Sequence, residues 1–174
     1  MIDDLMVFRM ATGYRIICNA VTRERVQAWL EQQAKAFACS VIWRNDLSIF
    51  SIQGPLARER LAAILSSTRT ALVQKLEHHQ GAADGDWFIS CTGYTGEDGI
   101  EITLPASQAI DFINELVGAG ISPIGIGARD TLRLEAGFNL YGFDMNEQVS
   151  PLVAGMKNVI SWEPSSRDFI GRRA

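Results

Sequence analysis

The chain has 174 residues, 47% of them hydrophobic and 21% charged, with 16 basic against 20 acidic side chains and a net charge of −4. That length holds one domain with a substantial core or two small ones, and the composition excludes a disordered chain. The acidic balance gives no footprint for nucleic acid or an anionic membrane, no apolar run spans a bilayer, and Met1-Ile2-Asp3-Asp4 lacks the basic and apolar parts of a signal peptide.

Cys18, Cys39 and Cys91 lie far apart in apolar settings, without a Cys-x-x-Cys pair. They read as reduced, buried thiols in a cytoplasmic protein. In chain order, the run from Ile2 to Phe8 and the run from Tyr14 to Ala20 form a hairpin with its turn at Gly13. Thr22 caps a helix reaching about Phe37, with Val26, Trp29, Leu30 and Phe37 on one stripe. Cys39 to Trp43 and Leu47 to Gln53 read as strands joined at Asn45-Asp46. Gly54-Pro55 opens a helix that uses Leu56, Leu61, Ile64 and Leu65.

The pattern weakens between Ser66 and Asp84, where Leu72 to Leu76 suggests a helical turn or two. His78 and His79 are adjacent, with no Cys or carboxylate nearby to complete a ligand set, so no metal site is expected. Asp86 to Cys91 is a short apolar strand. A loop follows from Thr92, with Gly93, Gly96 and Gly99 three residues apart, and then Ile100, Ile102 and Leu104 alternate with Glu101 and Thr103. Glycine tolerates positive φ and close backbone approach, so the loop is tightly turned, and the alternation puts Glu101 opposite the aliphatics. On spacing alone, Glu101 is a solvated residue of an ordinary hairpin first and an acceptor for a heterocycle second.

Ser107 caps a helix through Val117, with Ile110, Ile113 and Val117 on one face. Gly127 to Gly137 is another helix, whose Arg129 and Arg133 are four apart and whose Asp130 precedes Arg133 by three. Those charges read first as a solvated or mutually paired surface. Residues 139–150 are loop-like. Short, uneven strands and helices with hairpin turns give an α+β fold with mostly antiparallel sheets and packed helices. Two regions are expected: a partial α+β subdomain of hairpin and helix over 1–43, and a main α+β region over 44–174.

Several of these stretches together resemble one family. Thr92-Gly93-Tyr94-Thr95-Gly96-Glu97 with Gly99-Ile100-Glu101, then Gly125-Ile126-Gly127-Ala128-Arg129-Asp130 with Arg133-Leu134-Glu135-Ala136, is similar to the aminomethyltransferase (T-protein) of the glycine cleavage system. Ile2-Asp3-Asp4-Leu5, Gln53-Gly54-Pro55, Asn139-Leu140-Tyr141-Gly142 and Arg167-Asp168-Phe169-Ile170-Gly171 match in the same order. The resemblance covers the chain but only the middle of the family's length, without its N-terminal segment and C-terminal barrel domain.

It implies the folate-binding T-protein fold, with tetrahydrofolate as co-substrate. It also implies transfer of a methylene group from an aminomethyl-lipoyl carrier, an H-protein-like partner, with release of ammonia. By resemblance, Glu101 receives the pterin N–H donors, Tyr94 packs against the folate, Arg129 binds a tail carboxylate and Asn19 lies near the pterin. The catalytic acid is Asp4 or Asp3, with Asp4 favoured. Phe8 departs from the tyrosine of some members. Three alternatives stay open: another folate-binding relative, such as a demethylating-oxidase domain or an RNA-modification helper; a truncated, inactive fragment or interaction module; and homo-oligomers formed through surfaces that truncation exposes.

Overall fold

The computed structural model describes residues 1–173 and is α+β, its strands paired antiparallel in two sheets. It divides into two compact units, one of residues 1–41 with 139–174 and one of residues 42–138.

In the first unit, β1 (Met6–Met10) pairs with β2 (Gly13–Ile17) in the expected hairpin. Helix α1 (Arg23–Ala34) follows and buries Val26. Thr22 occupies its N-cap position, but its hydroxyl donates to the carbonyl of Asn19 at 3.0 Å and accepts no helix N–H. The start of the chain is tied down within this unit. The Met1 ammonium donates to the carbonyls of Asn146 and Val149, and the Tyr141 hydroxyl donates to the Met1 carbonyl at 2.9 Å.

The second unit is built on a four-stranded sheet in the order β3-β6-β5-β4, comprising β3 (Leu47–Gln53), β4 (Gly81–Asp84), β5 (Trp87–Ser90) and β6 (Gly99–Pro105). The predicted strand at Cys39 to Trp43 does not form. β3 takes β6 as its partner instead, in register over seven pairs from Leu47↔Pro105 to Gln53↔Gly99. That pairing, fifty residues away in sequence, aligns one apolar row of the sheet, which a local hairpin at Asn45-Asp46 would not provide.

Ile100, Ile102 and Leu104 are fully buried on one face of β6. Each contributes roughly 1.5–3 kcal/mol by leaving water. Helices α2 (Ala57–Ala62), α3 (Ser67–Lys75) and α4 (Ala109–Gly118) complete this core with Leu61, Val73, Phe112 and Leu116. Pro55 lies ahead of α2 rather than within it.

The predicted apolar face of α4 is the exposed one. Ile110, Ile113 and Val117 face outward, while Phe112 packs at close to right angles to Phe50 and Trp87, at ring distances of 5.3 and 5.1 Å. Aromatic area outweighs the smaller aliphatics in deciding which stripe is buried. Helix α5 (Ile126–Glu135) closes the unit. Among the described residues no helix is long and apolar enough to cross a membrane.

Candidate functional site

The loop between β5 and β6 is organised by contacts at each of its three glycines. A Cβ on Gly93 would lie 1.9 Å from Gln53 Oε1, and one on Gly99 would lie 2.1 Å from the same atom. At these two positions glycine is required for space. Gly96 has φ +78°, and a Cβ there would stand 2.8 Å from the Ala136 Cβ, so at this position both the backbone and the neighbour demand glycine. The loop therefore bridges the end of β3 and the C-terminal end of α5. Inside it, the Glu97 N–H donates to Thr95 Oγ1 at 3.3 Å, a hydroxyl-stabilised turn.

Its far end is fastened by Arg58 on α2. The guanidinium pairs with Asp98 through two bonds, of 2.7 and 3.0 Å. It also reaches Cys91 Sγ at 2.9 Å and the carbonyls of Val73 and Leu76. The Arg58 hydrogen bond holds the Asp98 carboxyl below its ordinary range, against the opposing effect of burial.

Glu101 lies on the sheet face opposite the buried aliphatics, across from Ser51 on β3 and Ser90 on β5. Thr92 Oγ1 donates to Glu101 Oε2 at 2.6 Å, the length of a charge-assisted O–H···O bond. The Thr92 hydrogen is thus committed, so Ser90 Oγ, 3.0 Å away, acts as donor to Thr92. Glu101 is half-buried, and its Oε1 accepts no hydrogen bond from the described residues.

Two residues along from Thr92, Tyr94 stacks on Phe138 with ring centroids 5.7 Å apart and planes 12° apart. The Arg129 guanidinium carbon lies over the Tyr94 ring at 4.4 Å. Arg129 is exposed and makes no ion pair with the described residues. Arg133, one turn on, takes a different course: buried, it bonds Asp130 at 2.8 Å and the Phe138 carbonyl at 3.0 Å. One arginine of the pair is structural, and the other keeps its fork free of ion pairs among the described residues. Tyr94, Glu101 and Arg129 are thus gathered on or against a single loop. Phe138, the ring stacked on Tyr94, carries no signal in the sequence because nothing local links it to Tyr94, far earlier in the chain.

The remaining site candidates lie in the first unit. Asn19 Nδ2 donates to Asp3 Oδ1 and Asp4 Oδ1, each at 2.8 Å, and to the Asp4 carbonyl at 3.1 Å, while the Asn19 N–H donates to Asp3 Oδ2 at 3.2 Å. One amide spans both carboxylates. Burial pushes the Asp4 carboxyl above its ordinary range and the Asp3 charge adds to this, while the Asn19 bond works the other way.

A family model described as the GCVT N-terminal domain matches residues 1–164. An aminomethyltransferase of Pseudomonas syringae pv. tomato is 56% identical over 173 residues, 99% of this chain and 48% of that protein. One of Chromobacterium violaceum is 51% identical over the same shares of both chains. A crystal structure of glycine cleavage system aminomethyltransferase T from Bartonella henselae superimposes with a TM-score of 0.78 at 36% identity, over 90% of this chain and 44% of that one. The chain spans about half the length of the curated relatives it matches.

Proposed function

Because the chain belongs to the family of GCVT N-terminal domains, we propose that it is the folate-binding part of an aminomethyltransferase of the glycine cleavage system. The protein would act in the cytoplasm on an aminomethyl-lipoyl carrier. The observation that carries this reading is Glu101, whose one oxygen is fixed by Thr92 while the other has no hydrogen-bond partner among the described residues, beside a loop that also carries Tyr94. A carboxylate held in this way accepts adjacent N–H donors of a pterin in a geometry that neutral side chains match less well. Tyr94 packs against the folate beside Phe138 and Arg129, and Arg129, without an ion pair among the described residues, suits a carboxylate of the folate tail.

Asp4 is the acid assigned to the transfer itself, with Asp3 its alternate. A carboxylate there stabilises positive charge developing on the transferring carbon, and Asn19 fixes its orientation. When bound, tetrahydrofolate supplies the nitrogen that accepts the one-carbon unit.

Titration calorimetry with tetrahydrofolate tests the binding half. Saturable heat that Glu101→Ala abolishes is expected, and no heat at millimolar ligand would refute it. Turnover of an aminomethylated lipoyl carrier separates the transferase from other folate-binding relatives and from a binding module without activity.

A further inference from the structure

We propose that Gln53 is a positioning residue, the peg that sets the glycine-rich loop and with it Tyr94 and Glu101. Gln53 ends β3 directly opposite Gly99, and its side chain lies on the face that carries Glu101. Its Nε2 donates to the Thr92 carbonyl at 3.1 Å and to Ser51 Oγ at 3.0 Å. Its Oε1 is buried and has no N–H or O–H partner among the described residues.

What Oε1 does face is the space where side chains of Gly93 and Gly99 would begin. The hydrogens in those two positions point at the oxygen, a pair of Cα–H···O contacts in place of a conventional donor. Neither glycine has positive φ, so the slot exists for the carboxamide and not for a special backbone conformation. The carboxamide grips both ends of the loop, Thr92 and Gly93 at one side and Gly99 at the other. Thr92 in turn bonds Glu101, and Tyr94 follows Gly93. A displaced carboxamide therefore moves Glu101 and the Tyr94 ring together.

The effect on ligand affinity rests on the folate reading above, whereas the coupling between Gln53 and the glycines does not. The test is a double-mutant cycle of Gly93→Ala, Gln53→Ala and both, followed by thermal unfolding, the NMR shifts of the Gly93 and Gly99 Hα and Tyr94 ring protons, and tetrahydrofolate affinity well below the melting temperature. Gly93→Ala alone should lower the melting temperature. In the Gln53→Ala background the added methyl enters vacated space and should cost little more, so the two changes are strongly non-additive.

Gln53→Ala should shift the glycine Hα and Tyr94 resonances and weaken tetrahydrofolate binding on the order of tenfold in a folded protein, as expected when an amide that fixes a binding loop is lost. Additive melting shifts, or unchanged Tyr94 resonances in Gln53→Ala, would overturn the proposal. If the native chain binds no tetrahydrofolate, the folate reading falls, and the melting and NMR readouts still decide the role of Gln53.

Discussion

The guanidinium of Arg129 lies 4.4 Å over the ring of Tyr94, and that ring is also stacked on Phe138 with centroids 5.7 Å apart. Helix α5 thus supplies a cation to the Gly-rich loop without neutralising it. A stacked, unpaired arginine keeps its planar fork available for a carboxylate while the ring restricts where it can swing.

Arg129→Ala should therefore weaken binding of a carboxylate-bearing pterin by roughly tenfold, about 1.4 kcal/mol, with little change for a pterin lacking the tail. Arg129→Lys keeps the charge but neither the fork nor the flat stack, and should recover less than half of the loss. Calorimetry with the two ligands against the three proteins reads the difference.

Glu101 and Thr92 give a second, separable pair of expectations. Glu101→Gln leaves an acceptor for the Thr92 hydroxyl, so the unfolding midpoint should barely move, while pterin affinity should fall by about 1.5–3 kcal/mol because a charge-assisted acceptor is lost. Thr92→Val does the reverse. It preserves the buried shape, removes the donor, and should lower stability by about 1–2 kcal/mol in urea unfolding.

Much of this arrangement could be read from the order of residues, and the rest depended on contacts that no local pattern encodes. The alternation in β6 places Glu101 away from Ile100, Ile102 and Leu104, and the helix ending before Gly137 is plain from composition. The three-residue glycine spacing announces a tight loop, yet the reason for two of the glycines is a side chain from β3, and in the sequence Gln53 reads only as part of the Gln53-Gly54-Pro55 match. Cys39 to Trp43 has strand composition, but pairing is a property of two segments and β3 had a better partner. On α4 the 3.6-residue period allows two apolar stripes, and only the positions of Phe50 and Trp87 select the one with Phe112. The fates of Arg129 and Arg133 diverge because Asp130 and the Phe138 carbonyl lie within reach of one alone.

Asp4 should show the signature of a group held at a cost to stability. Its folded-state pKa is raised, so the folded chain binds the proton more readily than the unfolded one, and stability falls as pH rises from the unfolded value through the folded value. Above the folded value that cost is fully present. Asp4→Asn removes it while leaving Asn19 an oxygen to bond, so the melting temperature at pH 7 should rise above that of the native chain. The gain should shrink as the native carboxyl becomes protonated on acidification. The same substitution should abolish methylene transfer if Asp4 is the acid. A variant both less stable and fully active would remove Asp4 from the role and leave Asp3.

Arg58 and Asp98 provide the opposite sign. The folded-state pKa of Asp98 is depressed by the Arg58 hydrogen bond, so its contribution is present above the unfolded value and is lost as pH falls through the folded one. Asp98→Asn should lower the melting temperature at neutral pH, and the gap from the native chain should close on acidification. Arg58→Ala should cost more and keep a pH-independent part. It also strips the bonds to the Val73 and Leu76 carbonyls and the half-buried stem, a loss of roughly 2 kcal/mol that acid does not erase. Paired melting curves across the acid range separate the two contributions. A difference between Asp98→Asn and the native chain that stays constant with pH would show that the ion pair does not fasten the end of the loop.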